Sequence, residues 1–220
     1  EETGTRHRTA ERTAKQTGEL VISISQRRNI ITVFQGDFRY TIEDTAKIIT
    51  RANQALQTLD NYKKVFDNKL RVLNEYEFND IVTLDNVITC LQRAEMVMKI
   101  SEEVNRAIYE LGADGFLVKM QLEELIENLP NEELLIIKDY MAPSRRLVPE
   151  KILNLIRENS KDGFIDSNTI AKLLGYEVFE NYEEIAVYPR GYRILNKIPR
   201  MPSSIVNNLV KTFKSFQHIL

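Results

Sequence analysis

The stretch DTAKIITRANQALQTLDNYKKVFDNKLRVLNEYEFN, residues 44–79, decides the fold of this chain. It contains no glycine or proline, and its apolar residues recur every three or four positions, which is the period of one buried face of an α-helix. Those positions are Ile48, Ala52, Ala55, Leu59, Tyr62, Phe66, Leu70 and Leu73. The pattern predicts one long amphipathic helix, and its apolar stripe needs a partner to bury it.

A second stripe of the same period follows after a short break near Asn79 and Asp80. It runs from Leu84 to Leu111, where Gly112 ends it, and Thr83 before it is typical of a helix start. We therefore predict a long antiparallel helical hairpin. The alternative is a coiled coil between two chains. Shorter helices that could pack on the hairpin are predicted over residues 117–129, 132–140, 149–158, 168–174 and 204–212.

The residues before the hairpin follow another pattern. A helix is predicted over residues 5–16, with Thr5 as its N-cap and Gly18 as its C-terminal stop. Three strands follow over residues 20–25, 31–35 and 38–42, and the last two form a hairpin around Gly36 and Asp37. Three strands and one helix cannot bury both faces of a sheet, so we expect sheet polypeptide to be missing on the N-terminal side. Both chain ends are expected to be cut, and the fold class is α+β, predominantly helical.

Composition excludes several classes of protein. The chain has 220 residues and a formal net charge of -2, which excludes a globally basic nucleic-acid binder but not a local basic patch. One cysteine, Cys90, and two histidines give neither a disulfide framework nor a structural zinc site. No apolar run reaches the length that spans a membrane, so we expect no membrane partner and a cytoplasmic protein.

Positive charge is concentrated at the start of the first helix, in GTRHRTAERTAKQTG, residues 4–18. Helix N-termini present unpaired N–H groups and a partial positive charge, so arginines are disfavoured there unless an anion binds. The guanidinium forks of Arg6 and Arg8, with His7 between them, match phosphate oxygens. Gly4 permits close backbone approach, and Thr5 and Thr9 add hydroxyl donors. The alternative is a solvated basic face that pairs with Glu11 and other surface acids.

Read as a whole, the chain resembles the bacterial family of DNA-scanning diadenylate cyclases. The resemblance is carried by RHR at residues 6–8, LVISISQRRN at 20–29, ANQALQTL at 52–59, LQRAEMVMKI at 91–100, RGYRILNKIPRMP at 190–202 and FKSFQHIL at 213–220. It implies three parts: a partial cyclase domain over residues 1–43, a helical spine over 44–187, and the start of a helix-hairpin-helix DNA-binding domain over 188–220.

The resemblance also implies the chemistry. Members of the family join two ATP molecules into cyclic di-AMP and release two pyrophosphates, between cyclase domains that face each other in a homo-oligomer. Arg6, His7 and Arg8 would be the catalytic residues that cradle the triphosphate, and Gly4, Thr5, Thr9 and Ser25 would complete the ATP-binding set. Arg27 and Arg28 would neutralise charge near the site, or else form an ordinary surface turn. Mg²⁺ or Mn²⁺ would be the cofactor.

The chain departs from the family at one motif. The acidic DGA motif that the family places upstream of RHR is absent, because the DG pairs at Asp114 and Asp162 lie downstream and neither precedes alanine. We therefore expect the metal's acidic ligand to lie upstream of this chain, and the chain alone to be inactive.

The final residues after Glu184 carry no acid and several basic residues, among them Arg190 and Arg193, which is compatible with a linker into a domain for branched DNA. No glycine hairpin follows Phe213, so DNA binding by this chain alone is not expected. The second hypothesis is a non-catalytic helical oligomerisation core whose basic patch docks nucleotide or DNA phosphate.

Overall fold

The computed structural model describes residues 4–26 and 30–220. They form two compact units: unit 1 comprises the chain up to Ala55 together with Val104–Lys119, and unit 2 comprises Leu56–Glu103 and Met120–Leu220. The expected class is confirmed, since these residues hold nine α-helices and one three-stranded sheet.

Unit 1 begins with helix α1, Thr5–Thr17, and three antiparallel strands: β1, Leu20–Ser25, β2, Ile30–Gln35, and β3, Phe38–Ile42. The prediction of Thr5 as N-cap is wrong. Gly4 occupies that position, and Thr5 is the first helical residue. The predicted stop is confirmed: Gly18 adopts a left-handed φ of 73° and donates its N–H to the Ala14 carbonyl at 2.8 Å, a conformation that favours glycine.

The two faces of this sheet differ in an unexpected way. On the face under α1, Thr32 and Phe34 of β2 are buried, as is Ser23 of β1. The opposite face is more apolar, and five of its large side chains are 40–61% exposed: Leu20, Ile22, Ile24, Phe38 and Tyr40. Ile31, Val33 and Ile42 of the same face are half-buried, so within the described residues this face is covered only in part.

The predicted helical hairpin is confirmed as α2, Thr45–Asn79, and α3, Leu84–Leu111. In unit 1, Arg51 near the start of α2 bonds Glu110 at the end of α3, with an Nη2–Oε2 distance of 3.0 Å. In unit 2, Leu73 near the end of α2 packs with Leu84 and Val87 at the start of α3. The two helices therefore run antiparallel.

The remaining helices agree with the predictions within a few residues. They are α4, Phe116–Ile126, α5, Leu129–Tyr140, α6, Pro149–Asn159, α7, Ser167–Leu174, and α9, Ser203–Phe213, with a 3₁₀ turn at Gly112–Gly115 before α4. A further short helix, α8, Tyr192–Asn196, lies between α7 and α9. The core of unit 2 joins the end of α2 and the start of α3 to α5, α6 and α7. Its fully buried members include Leu84, Ile88, Ile136, Ile152 and Ile170.

The short helix α8 was not predicted, because Pro189, Gly191 and Pro199 give this stretch the composition of a linker. Asp139 at the end of α5 caps it: the carboxylate accepts the backbone N–H groups of Gly191, Tyr192 and Arg193 at 2.8, 2.6 and 2.9 Å. Arg190 donates to the carbonyls of Lys138 and Met141. The segment expected to be a basic linker is thus anchored on α5.

Candidate nucleotide-binding site

The start of α1 has the backbone geometry of an anion site. Gly4 is the N-cap and offers no side chain to the first-turn N–H groups. The N–H groups of His7 and Arg8 both donate to the Gly4 carbonyl, at 3.0 and 3.3 Å. Helix geometry directs the earlier N–H groups, those of Thr5 and Arg6, out of the helix end, where an anion would meet them.

The side chains of this turn add positive charge. Arg6 and Arg8 are exposed, and the first turn contains no acidic residue. His7 is half-buried, and among the described residues its buried Nε2 has no hydrogen-bond partner. The turn therefore combines two guanidinium groups, an imidazole and the positive end of a helix dipole.

The two threonines expected beside the phosphates lie on the same helix end. Thr9 donates its hydroxyl hydrogen to the Thr5 carbonyl at 3.0 Å, and Thr13 and Thr17 repeat this bond one and two turns later. Thr9 consequently retains only acceptor capacity in this arrangement, so its expected donation to phosphate requires a rotation of the hydroxyl.

Ser25 lies at the same end of unit 1 as the arginines. Gly18 reverses the chain between α1 and β1, and α1 packs on β1. Thirteen helical residues and six strand residues both span roughly 20 Å, so the start of the helix and the end of the strand meet at one edge. Ser25 is half-buried there and pairs with Ile30. Arg27 and Arg28 lie outside the described residues.

The ion pairs of α1 bear on the alternative reading as a solvated basic face. Glu11 pairs with Lys15 at 3.2 Å, and Asp37 lies 3.6 Å from the same Lys15 ammonium. The hydrogen bond and charge of Glu11, with the charge of Asp37, raise the pKa of Lys15. The acidic side chains of Glu11 and Asp37 thus pair with Lys15, which belongs to the last turn of α1.

The residues of this helix end do not fit a divalent metal. Metal ions such as Mg²⁺ take carboxylate, carbonyl and water oxygens, whereas this turn presents guanidinium groups and N–H donors. Within residues 4–26 and 30–220, no group of three or more His, Cys, Asp or Glu side chains is placed to hold a metal ion.

Two family models match this chain. The DisA bacterial checkpoint controller linker region matches residues 42–182, which is well over half of the sequence. The chain belongs to the DisA family. A second model, the nucleotide-binding region of the DisA bacterial checkpoint controller, matches residues 1–38, which include α1.

Individual DisA proteins match along the entire chain. The DNA integrity scanning protein DisA of Carboxydothermus hydrogenoformans is 50% identical over 219 residues, covering 100% of this chain and 62% of that relative. The DisA proteins of Clostridioides difficile and Bacillus subtilis are 47% and 46% identical, again over 100% of this chain, and 61% and 60% of the relatives. The chain therefore spans about 60% of the length of the DisA relatives that it matches.

Neither the DisA matches nor the geometry tests individual residue roles. The assignments of Gly4, Thr5, Arg6, His7, Arg8, Thr9 and Ser25 stay predictions, as does the division into parts at residues 43 and 187. In the part of the chain that the structure describes, no helix is both long and apolar enough to cross a membrane.

One group of ionisable side chains in unit 2 was not predicted: the buried Glu95 and Glu133 lie against Arg157, whose side chain is partly exposed. A signal existed for Glu95, which falls four residues after Leu91 on the apolar stripe of α3. An acid at a stripe position is expected to be buried and to have a partner.

Proposed function

We propose that the full-length protein containing this chain is a DNA-integrity scanning diadenylate cyclase, and that the start of α1 holds the triphosphate of ATP. In the reaction, the 3′-oxygen of one ATP forms a bond to the α-phosphorus of a second ATP, and the bond from that phosphorus to the bridging oxygen breaks. Pyrophosphate leaves, and a second transfer of the same kind closes cyclic di-AMP. The 3′-hydroxyl proton is lost in each step.

The observation that carries this proposal is the first turn of α1, where exposed Arg6 and Arg8 stand beside an N-cap glycine with no acid in the turn. Charge accumulates on the leaving pyrophosphate as the bond breaks. Fixed guanidinium groups and N–H donors that meet this charge lower the barrier without reorganising. His7 would add an imidazole donor to the same oxygens, and Ser25 would contact them from the end of β1.

We propose further that the reaction uses Mg²⁺ or Mn²⁺, since ATP phosphates in such transfers are bound with a divalent metal. The metal's protein ligands would lie outside this helix end.

Three alanine variants of the full-length protein test the phosphate cradle. Arg6→Ala and Arg8→Ala are each expected to lower kcat/KM for cyclic di-AMP formation by about 10²-fold, the loss typical of one stabilising donor. Arg12→Ala is the matched control, because Arg12 is an exposed arginine of the same helix that lies beyond the first turn. Equal activities in all three variants would refute the cradle.

The chain of 220 residues is itself expected to form no cyclic di-AMP, because half of the site is proposed to lie in other polypeptide. Formation of cyclic di-AMP by this chain, measured by chromatography of nucleotide products, would contradict that. We also propose that the full-length protein, as a homo-oligomer with facing cyclase domains, binds branched DNA. An electrophoretic shift with a four-way junction, compared with a linear duplex of equal length, tests the DNA partner.

The second hypothesis is an oligomerisation core without catalysis. Large apolar side chains between Leu20 and Tyr40 are 40–61% exposed on one face of the sheet, which suits association with further polypeptide, either of the same protein or of a second copy. Sedimentation and ATP conversion separate the two hypotheses. A full-length protein that assembles but converts no ATP with Mg²⁺ or Mn²⁺ would support the oligomerisation core without catalysis.

A further inference from the structure

Three helices of unit 2 bring two carboxyl groups and one guanidinium together. Glu95 of α3 is 3% exposed and Glu133 of α5 is fully buried. Arg157 of α6 donates from Nη2 to Glu133 Oε2 at 3.1 Å, and its Nε lies 3.9 Å from Glu95 Oε1. Arg157 thus bonds one carboxyl group directly, while its contact with the other is too long for a hydrogen bond.

The charges around this cluster do not balance if both glutamates are ionised. The other charged groups that act on the pair, Lys99 and Glu102, both belong to α3, and they bond each other at 2.9 Å. Arg157 is the cation that faces the pair from α6. Two buried carboxylates would therefore share one guanidinium, and a buried charge without a partner is costly.

Hydrogen-bond accounting leads to the same imbalance. Among the described residues, three buried atoms of the cluster have no hydrogen-bond partner: Glu95 Oε1, Glu133 Oε1 and Arg157 Nε. Both carboxyl groups lie against the same guanidinium, and its Nε–H can meet only one of the two oxygens. Two carboxylates offer only acceptors, whereas a carboxylic acid beside a carboxylate supplies the missing donor.

We propose that Glu95 and Glu133 hold one proton between them, and that this shared proton makes the junction of α3, α5 and α6 a pH-sensitive lock. Burial is the main cause, and the charge of Glu95 adds to it: together they raise the pKa of Glu133 to about 8, against the opposing charge of Arg157. Burial likewise raises the pKa of Glu95. The pair, not either residue alone, is the titrating unit.

The cluster has a route for proton exchange. A cavity of about 90 Å³ is lined by Glu95, Met98, Lys99, Glu102, Arg157 and Ser160. The side chain of Arg157 is 36% exposed, so the edge of the cluster meets solvent on the α6 side. The proton can therefore exchange with solvent without unfolding of the core.

The direction of the pH effect follows from the raised pKa. The native state retains the shared proton at pH values where the unfolded chain has lost it. The stabilisation of the native state that depends on this proton is therefore complete in acid and is lost as pH rises through about 8. Above that pH a second negative charge is buried at the junction, and α6 is the element held there by Arg157. We expect α6 to open locally before the rest of unit 2.

Carboxyl titration by ¹³C NMR on the 220-residue chain tests the shared proton directly. One glutamate resonance should titrate near neutral or mildly alkaline pH, well apart from the exposed glutamates, and Glu133→Gln should abolish that titration. Titration of every glutamate below about pH 5 would overturn the proposal.

Unfolding by urea between pH 6 and 9.5 gives the second readout. The wild-type chain should lose stability between pH 6 and about 8, and Glu133→Gln should reduce this loss. Asp139 should account for a remaining part, since burial also raises the pKa of its carboxyl to about 7. Glu158→Gln, an exposed glutamate of α6, is the matched control and should follow the wild type. If Glu133→Gln does not fold, Glu95→Gln is expected to reduce the loss in the same way. If a variant folds and its free energy of unfolding falls with pH as steeply as that of the wild type, the proposal is overturned.

Discussion

Arg193 and Glu77 are both completely buried and meet through two parallel hydrogen bonds. Arg193 Nε donates to Glu77 Oε1 at 3.2 Å, and Nη2 donates to Oε2 at 3.1 Å. Tyr140 donates its hydroxyl to the same Oε1 at 2.7 Å, and Arg193 also donates to the Asn74 side-chain oxygen. A bidentate pair in this setting fixes the geometry between α8 and the end of α2.

Removing one residue of this pair is expected to lower the free energy of unfolding strongly. Arg193→Ala leaves the buried Glu77 charge without its cation, which costs about 3–5 kcal/mol of unfolding free energy. Glu77→Ala should cost less, because Glu132 still lies 3.6 Å from Arg193 Nη1. Urea unfolding followed by circular dichroism measures the loss. Arg71→Ala is the control, because Arg71 pairs with Glu75 at 2.8 Å on the exposed face of the same helix, and such surface pairs contribute about 1 kcal/mol or less.

The double variant Glu77→Leu with Arg193→Met completes this test. Replacing both charges with apolar groups removes the burial penalty together with the attraction, so the double variant should be more stable than either alanine variant. A double variant whose loss equals the sum of the two single losses would mean that the residues act independently.

The contribution of Asp166 to the stability of the chain should depend on pH. It is the N-cap of α7, where its carboxylate accepts the Thr169 N–H at 2.9 Å and the Thr169 hydroxyl at 2.5 Å. These hydrogen bonds lower the pKa of Asp166. Asp166→Ala is expected to cost about 1 kcal/mol at pH 7, the usual loss for an N-cap.

The pH dependence of that loss has a definite sign. Because the native pKa lies below the unfolded value, the stabilisation is complete above the ordinary aspartate range and is lost as pH falls through the native value. The stability difference between wild type and Asp166→Ala should therefore shrink between pH 7 and pH 3. A difference that stays constant down to pH 3 would mean that the cap does not depend on the carboxylate charge.

The open face of the sheet predicts self-association of the 220-residue chain. Ile22, 57% exposed on this face in the edge strand β1, should contribute to it, so Ile22→Thr is expected to raise the monomer fraction in sedimentation velocity while the strand persists. Ile81→Thr is the control, because Ile81 is 56% exposed in the turn between α2 and α3, away from the sheet. Equal monomer fractions in the two variants would locate the association elsewhere.

The sequence predicts those parts of the fold that depend on local pattern. The stripes of α2 and α3, the reversal at Gly18 and the β2–β3 hairpin all follow from residue spacing and turn chemistry, and all are confirmed. Which face of the sheet lies under α1 could not be predicted. Alternation along β1 separates Ile22 from Ser23, but the face that a helix covers depends on neighbours beyond the strand.

The other features that the sequence did not predict depend on polar contacts between residues far apart in the chain. Arg193 has the sequence context of a basic linker, and the carboxylate of Asp139 that organises α8 lies 54 residues earlier in the chain. Glu77 did carry a signal, since it falls four residues after Leu73 on the apolar stripe of α2. At the candidate site, the positive charge of Arg6 and Arg8 could be located from the sequence. The N-cap position of Gly4 and the hydrogen bond from the Thr9 hydroxyl to the Thr5 carbonyl could be seen only in the structure.

The separation of Glu77 and Arg193 along the chain has a consequence for biosynthesis. The two residues lie 116 positions apart, so at roughly 5–20 residues per second a ribosome needs on the order of ten seconds to add the second after the first. During that interval the nascent end of α2 holds an acid that has no counter-charge to bury with it. Completion of unit 2 must therefore wait for the emergence of α8, and a chain that stops short of residue 193 would leave Glu77 without this cation.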